Sequence, residues 1–387
     1  MKLLHTSDWH VGKTIRGNSR ADEHRAVLAE MAQIAEDKEV DLVLVAGDLF
    51  ETAAPSPEAE QIVYQALLRF ATLDIPVAVI SGNHDNARRL RAVQPLLELD
   101  HVFMVTAPTK PDDGGVLQFE CADGSTVQLA MLPFVSQQGI VRAEELMDRA
   151  AFENAQLYAD RMRLLVDALT PSFSADTVNI VMAHAFVQGG TAGGGERLAH
   201  LVEEYQMSPL AMPVTANYVA LGHLHRPQKI PGPTAIHYCG SPLQLDFGEE
   251  DQAKQVDIVE IEPGLPARVE AVSLESGRAL RTVKGSMEQL RARAGDEDGS
   301  DDWLRVIVQE AARAGLADDV REMFGETMVD VRIDSPVEKK ATKRKRRQGR
   351  SPQDLFAEYM TEQGIDDERV AAMFADLLDQ HLQGAEK

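Results

Sequence analysis

The residues of this chain that could do chemistry stand where short apolar runs end. Asp8 and His10 follow KLLHT, and Asp48 follows DLVLVAG (41–47). Asn83 and His84 follow IPVAVISG (75–82), His184 closes VNIVMAH (178–184), and His223 and His225 end the run NYVALGH (217–223). Two carboxylates, an amide and several imidazoles, with no thiolate, suit hard or borderline divalent ions such as manganese, iron or zinc. Asp48 lies centrally in the order and could bridge two ions through its two oxygens. Two cations roughly 3.5–4 Å apart can polarise a phosphate, hold a shared hydroxide and stabilise a leaving oxygen. Metal binding also draws the pKa of water from about 15.7 toward ~7, which supplies hydroxide at neutral pH without a strong protein base. His84, beside Asn83, is placed to protonate a leaving group or to neutralise charge on the phosphate. A single histidine is most often a surface or satisfied core residue, and His5, His24, His101, His200, His237 and His381 are read that way.

The elements that must position these groups are strands. Each run is short, rich in leucine or β-branched residues and free of polar alternation, which suits strands buried on both faces. Amphipathic stretches separate them, among them ADEHRAVLAEMAQIAEDKEV (21–40) and EELMDRAAFENAQLYADRMRLLVDAL (144–169). The alternation predicts a layered α/β fold, β-sheets flanked by helices. In an open α/β sheet ligands bind at the carboxyl ends of the strands, so five segments would deliver their polar groups to one rim. A hairpin is expected over QFECADGSTVQLAML (118–132), with Asp123 and Gly124 in the turn. The Gly-rich stretch QGGTAGGGE (188–196) lacks the Lys-Ser/Thr pair of a P-loop and reads as a flexible rim loop.

Downstream of about residue 256 the pattern changes. VDIVEIEPGLPARVEAVSL reads as two strands joined by a Pro/Gly turn. WLRVIVQE (303–310), the helical AGLADDVREMFG and TMVDVRI (327–333) read as a strand–helix–strand unit. The expected organisation is a catalytic body at 1–275, a small α+β cap at 276–335, a basic linker at 336–350 and a helical tail at 351–387. The linker, PVEKKATKRKRRQGR, holds eight Lys or Arg and suits a solvated connection or a nucleic-acid contact equally. Two tail helices carry apolar stripes, Leu355, Phe356, Tyr359 and Met360 in the first and Val370, Met373, Phe374, Leu377, Leu378 and Leu382 in the second. A helix pair beyond a polar linker buries both stripes poorly alone, which favours docking on a partner.

Composition bounds these readings. A chain of 387 residues, 44% hydrophobic and 26% charged, is long enough for two or three units with a sizeable core. Cys121 and Cys239 allow at most one bridge, so no disulfide framework exists. No apolar run approaches the length that crosses a bilayer, and Asp8 and His10 interrupt any signal-peptide core, so a cytoplasmic chain without membrane contact is expected. The net charge of −23, from 62 acidic against 39 basic residues, disfavours unaided grip on DNA. A polyanionic substrate must then be held by local cations, by bound metal or by a partner.

In order, DxH (Asp8, His10), GD (Gly47, Asp48), GNHD (Gly82 to Asp85), His184 and GHxH (Gly222 to His225) resemble the calcineurin-like metallophosphoesterase superfamily. HTSDWHVGK, AGDLFE, SGNHD, ALGHLHRPQ and YCGSPLQLDFGE (238–249) are similar to a narrower branch, the SbcD-type nuclease subunits of bacterial SbcCD complexes. The resemblance is strong to about residue 250 and extends to the cap and tail only in layout. It implies that Asp8, His10, Asp48 and His225 hold one metal and that Asp48, Asn83, His184 and His223 hold the other. His84 matches the catalytic histidine, and Asp85 is expected to orient it. The resemblance implies two divalent ions, usually manganese. It also implies exonuclease action on double-stranded DNA and endonuclease action on single strands and hairpins, in repair, recombination and replication. The implied partner is an SbcC-type coiled-coil ATPase, with this chain pairing as a homodimer inside a heterotetramer. Some relatives carry a histidine three residues after the bridging aspartate; Glu51 stands here, and bacterial relatives also have an acid at that place. A generic metallophosphatase with the same centre is the alternative.

Overall fold

The computed structural model describes residues 1–121, 124–136, 151–196, 206–296, 301–334, 351–362 and 368–382. Among them, two six-stranded mixed sheets pack face to face, with helices on both outer faces. The first sheet runs, edge to edge, Arg268–Ser273, Gln255–Glu260, Lys2–Thr6, Leu42–Val45, Val77–Ile80, Val102–Val105. The second runs Gln228–Ile230, Ala235–Tyr238, Tyr218–Gly222, Thr177–His184, Thr126–Leu132, Val116–Glu120. Lys2–Thr6, Leu42–Val45, Val77–Ile80 and Val102–Val105 are parallel neighbours, as are Thr126–Leu132, Thr177–His184 and Tyr218–Gly222.

Side chains of a strand alternate between faces, and this explains why the runs carry no polar alternation. Leu3, Leu42, Leu44, Ala78 and Ile80 meet Val127, Leu129, Met131, Ile180, Met182 and Ala220 between the two sheets. The intervening Leu4, Val43, Val45, Val77 and Val79 face the helices Ala21–Asp37 and Pro57–Thr72. On the second sheet Ala130, Leu132, Val181, Val219 and Leu221 pack with Tyr158, Met162 and Val166 of the helix Ala151–Leu169. The apolar runs predict a single sheet rim for all five segments. Three of them belong to the first sheet and two to the second, so the rim is the seam where the carboxyl ends of both sheets meet.

The 118–132 hairpin forms as antiparallel Val116–Glu120 and Thr126–Leu132, with Asp123 outside the described residues. Gln255–Glu260 and Arg268–Ser273 pair antiparallel and join the first sheet. Beyond them, Leu280–Gly285, Trp303–Val308 and Met328–Ile333 form a parallel sheet with the helices Met287–Asp296 and Leu316–Phe324 around a core of their own. The strand Leu280–Gly285 has no clear signal in the sequence, because its buried Leu280, Val283 and Gly285 are interleaved with Arg and Lys. This unit touches the body through Ile15, Phe247, Leu280 and Trp303, and Trp303 Nε1 donates to Glu23 Oε1 at 2.9 Å. The tail helices Pro352–Glu362 and Glu368–Leu382 meet through stacked Phe356 and Phe374, 3.8 Å between ring centroids. Residues 336–350 lie outside the described residues. Cys121 and Cys239 are both thiols, and no described helix is long and apolar enough to cross a membrane.

Candidate metal centre

Backbone conformation draws attention to the seam, which holds four of the eight non-glycine residues with positive φ among the described residues. Few non-glycine residues adopt positive φ, and such strain clusters at functional sites. Asp8 (52°), His10 (47°), Asp48 (53°) and His223 (105°) all do so here. The loops that carry them are laced together: Asp8 N donates to Gly47 O at 2.9 Å, and His10 N to Asp48 O at 3.0 Å. The glycines of the motifs serve close approach. A Cβ on Gly82 would collide with the Asp48 carboxylate, and one on Gly47, at φ 93°, with the His184 ring.

The polar residues named from the run ends are all buried, and they come together. Asp48 Oδ2 lies 3.6 Å from His10 Nε2 and 3.5 Å from His184 Nε2. Two donors each ~2.1 Å from one ion at a tetrahedral angle stand roughly 3.4 Å apart, so both separations suit a shared cation. Donor atoms of Asp8, His10 and His225 lie within 4.8 Å of one another, as do those of Asp8, Asp48 and His184. A third such group is His10, Asp48 and His84. Asn83 Oδ1 is 3.0 Å from His184 Nε2 and 2.8 Å from His223 Nδ1.

Proton positions follow from the partners on the far side of each ring. His10 Nδ1 faces Glu51 Oε2 at 3.0 Å and His225 Nδ1 faces Glu249 Oε1 at 3.0 Å, so each donates there and turns Nε2 inward as a lone pair. His184 Nδ1 faces the Ala46 carbonyl at 2.7 Å, which can only accept, and its Nε2 likewise points inward. His10 Nε2 is buried with no hydrogen-bond partner. Inward lone pairs beside the Asp48 carboxylate need a cation among them. Without metal, His184 answers by protonation: burial lowers its pKa, but Asp48 overrides this and raises it to about 9. Burial would raise the Asp48 pKa, but the imidazoles of His184, His84 and His10 hold it well below the usual carboxylate range. The donor set and the orphaned nitrogen therefore fit two divalent ions.

His84 Nδ1 donates to the Glu51 carbonyl at 2.6 Å, and His84 N to Asp48 Oδ1 at 2.8 Å. The ring is thus oriented by a peptide carbonyl. The Asp85 carboxylate instead accepts from the backbone N–H groups of Leu49, Phe50 and Gly82 at 3.2, 3.1 and 2.9 Å, stapling the GD loop to the GNHD loop. Burial, then the nearby Asp48, push its pKa up to about 6.

Several residues position the site in ways that the sequence does not assign to them. Glu51 bonds Lys13 Nζ at 2.8 Å as well as His10, and Glu249 bonds the buried Lys254 at 2.7 Å as well as His225. Glu196 accepts from His225 N at 2.9 Å and Gly194 N at 2.8 Å, so the Gly-rich stretch ends in a buried anchor and not in a flexible rim. Glu249 lies in the motif FGE, which does carry a signal; Glu196 and Lys254 carry none. Of the histidines set aside, His5 is buried against the Tyr218 hydroxyl at 2.9 Å and His24 against two backbone carbonyls.

Two face-to-face sheets that gather aspartate, histidine and asparagine at their carboxyl seam are the arrangement of a metal-dependent phosphoesterase. Residues 1–227 match the Calcineurin-like phosphoesterase family, and residues 276–364 match the Type 5 capsule protein repressor C-terminal domain. The chain is similar to the D subunit of the nuclease SbcCD from Bacillus subtilis, 34% identical over 324 residues that cover 82% of this chain and 81% of that protein. The protein of the same name from Rhodobacter capsulatus is 33% identical, covering 69% of this chain and 68% of its own. Among solved structures, a dimetal phosphatase from Danio rerio aligns with 70% of this chain and 98% of its own at 9% identity and a TM-score of 0.43. The chain belongs to the calcineurin-like phosphoesterases and, among them, to the SbcD-type nuclease subunits.

Proposed function

We propose that this nuclease hydrolyses DNA phosphodiester bonds at double-stranded ends and at hairpins, in concert with an SbcC-type coiled-coil ATPase, in repair and recombination. The observation that carries the reading is the position of Asp48 Oδ2, 3.6 Å from His10 Nε2 on one side and 3.5 Å from His184 Nε2 on the other. Asp8, His10, Asp48 and His225 would hold one ion and Asp48, Asn83, His184 and His223 the other, with manganese the ion of choice. Such a pair supplies Lewis-acid polarisation of the phosphate and a water acidified toward neutrality.

The remaining steps belong to the chain. Because His84 Nδ1 is committed to the Glu51 carbonyl, Nε2 is the nitrogen that gives a proton to the leaving oxygen. Asp85 keeps the loops of Asp48 and Asn83 in register while this happens. Phe134 lies beside the centre, its ring stacked 6.1 Å from that of His223.

The domain division goes with this reading: a nuclease body at 1–275, a cap at 276–335, a basic linker at 336–350 and a partner-binding tail at 351–387. Tyr359, Met373 and Leu377 are 53%, 57% and 56% exposed on the tail helices, which supports docking on a partner. A net charge of −23 is consistent with much of the DNA grip coming from that partner, within a heterotetramer built on a homodimer of this chain in the cytoplasm. The test is a nuclease assay on hairpin and blunt duplex DNA with Mn²⁺, with and without the ATPase. Metal-dependent cleavage enhanced by the partner and ATP is expected. Partner-independent hydrolysis of monoesters with no DNA cleavage would favour the generic metallophosphatase.

A further inference from the structure

Behind the seam the chain crosses from the second sheet to the first. Tyr238 ends the strand Ala235–Tyr238 and packs on the helix side of the second sheet. Leu243 and Leu245, a few residues on, pack on the helix side of the first. Each buried residue from Tyr238 to Ser241 touches a loop that carries a candidate ligand. The Tyr238 hydroxyl donates to the carbonyl of Ala185, next to His184, at 2.6 Å and accepts from Val187 N at 2.9 Å. Cys239 Sγ lies 3.2 Å from Ser7 Oγ, and Ser7 Oγ donates to Asp8 Oδ2 at 2.6 Å. Gly240, at φ 79°, runs so close to the His225 carbonyl that a Cβ would stand 2.6 Å from it. Ser241 N donates to the same carbonyl at 3.2 Å.

The single hydroxyl proton of Ser7 goes to Asp8, because the short contact to a carboxylate outcompetes the Gly240 carbonyl at 3.4 Å. Ser7 Oγ then accepts from the Cys239 thiol, whose other acceptor, the Gly240 carbonyl, is farther at 3.5 Å. His223 N also donates to Asp8, at 3.1 Å from each oxygen. The chain itself thus fixes the plane of the Asp8 carboxylate from two sides. Hydrogen-bonded partners behind metal ligands typically carry roughly 10–100-fold in affinity. We propose that Tyr238, Cys239 and Ser7 are positioning residues of the metal centre. The crossing segment holds the loops of His184, Asp8 and His225 in one register, and the Cys239–Ser7 pair orients the Asp8 carboxylate. The proposal rests on the metal-binding reading above.

The test is calorimetric titration of the metal-free full chain with Mn²⁺, beside thermal unfolding of each variant. Ser7→Ala should weaken Mn²⁺ binding by roughly 10–100-fold, and Cys239→Ala should weaken it to a smaller degree. Cys239→Ser keeps a donor for Ser7 and should bind Mn²⁺ more tightly than Cys239→Ala. Tyr238→Phe, which strips the Ala185 carbonyl and Val187 N of their partner, should weaken binding as well. Val306→Ala, in the core of the separate three-stranded unit, is the control, with a lower unfolding temperature and wild-type affinity expected. Wild-type affinity in Cys239→Ala, or Cys239→Ser no better than Cys239→Ala, would overturn the proposal while the metal centre stands. So would an equal loss of affinity in Val306→Ala, since binding would then follow stability alone. The two Cys239 variants decide the matter if Ser7→Ala or Tyr238→Phe fails to fold. A wild-type chain that binds no Mn²⁺ would remove the metal reading too.

Discussion

Replacing Lys254 by Met isolates the cost of the buried charges behind His225. The ammonium donates to Glu249 Oε2 at 2.7 Å, Ser241 Oγ at 2.9 Å and the His225 carbonyl at 3.0 Å. Met keeps the stem and its volume but leaves the Glu249 carboxylate buried without its main counter-charge. Removing one partner of a buried pair costs about 3–5 kcal/mol. The titration of Glu249 gives the scale of what Lys254 and His225 contribute together, net of burial. Burial opposes its ionisation, but Lys254 and then His225 overcome this and lower its pKa from 4.5 to about 2. At roughly 1.4 kcal/mol per pH unit that fall is worth about 3 kcal/mol. Because the folded carboxyl titrates below the unfolded one, the unfolded chain binds the extra proton between pH 4.5 and about 2. The stabilisation is therefore complete above pH 4.5 and disappears as pH falls toward 2. Urea unfolding of the metal-free protein, followed by far-UV circular dichroism, should show Lys254→Met less stable by about 3–5 kcal/mol at pH 7, with the gap shrinking at pH 3. Adding Glu249→Gln should recover much of the loss, since a neutral pair leaves no bare charge. A loss under about 1 kcal/mol at pH 7, or one equally large at pH 3, would refute the reasoning.

Three further outcomes are expected. His84→Gln should lower DNA cleavage by roughly 10²–10⁴-fold while Mn²⁺ binding and thermal unfolding stay as in the wild type; retained nuclease activity would remove His84 from its assigned role. Gly82→Ala forces a Cβ into the Asp48 carboxylate and should impair Mn²⁺ binding far more than it alters secondary structure, as read by titration beside circular dichroism. Deleting residues 351–387 should abolish co-purification with the ATPase and leave Mn²⁺ binding intact, and a truncated chain that still binds the partner would place docking elsewhere.

How much is legible from residue order can be seen at Asp48. Its place after a buried strand, its glycine neighbour and its rank among the five motifs mark it as a candidate metal ligand, and the fold brings its Oδ2 to 3.6 Å from His10 Nε2 and 3.5 Å from His184 Nε2. Glu249 shows the limit. It belongs to a motif visible in the sequence, yet only the fold shows that its carboxylate stands behind His225. Glu196 is hidden because a glycine-rich run signals freedom of the backbone, and the buried acid that ends it removes that freedom. The strand Leu280–Gly285 is hidden for a different reason: its apolar positions are too few to outweigh the cations between them.

Local order in the chain determined the strand-end loops and the residue types they present, because a strand's burial and the turn that follows it are written in contiguous residues. It also determined that oxygen and nitrogen donors, with no thiolate among the run-end residues, stand at those loops, since donor chemistry belongs to the side chain wherever it lies. Which sheet each strand joins, and which ring each carboxylate backs, came only with the tertiary structure. Hydrophobic runs record that a strand is covered, not by what. Contacts such as His184 Nδ1 on the Ala46 carbonyl, 138 residues away, arise from packing two sheets against each other and leave no periodic trace in either segment.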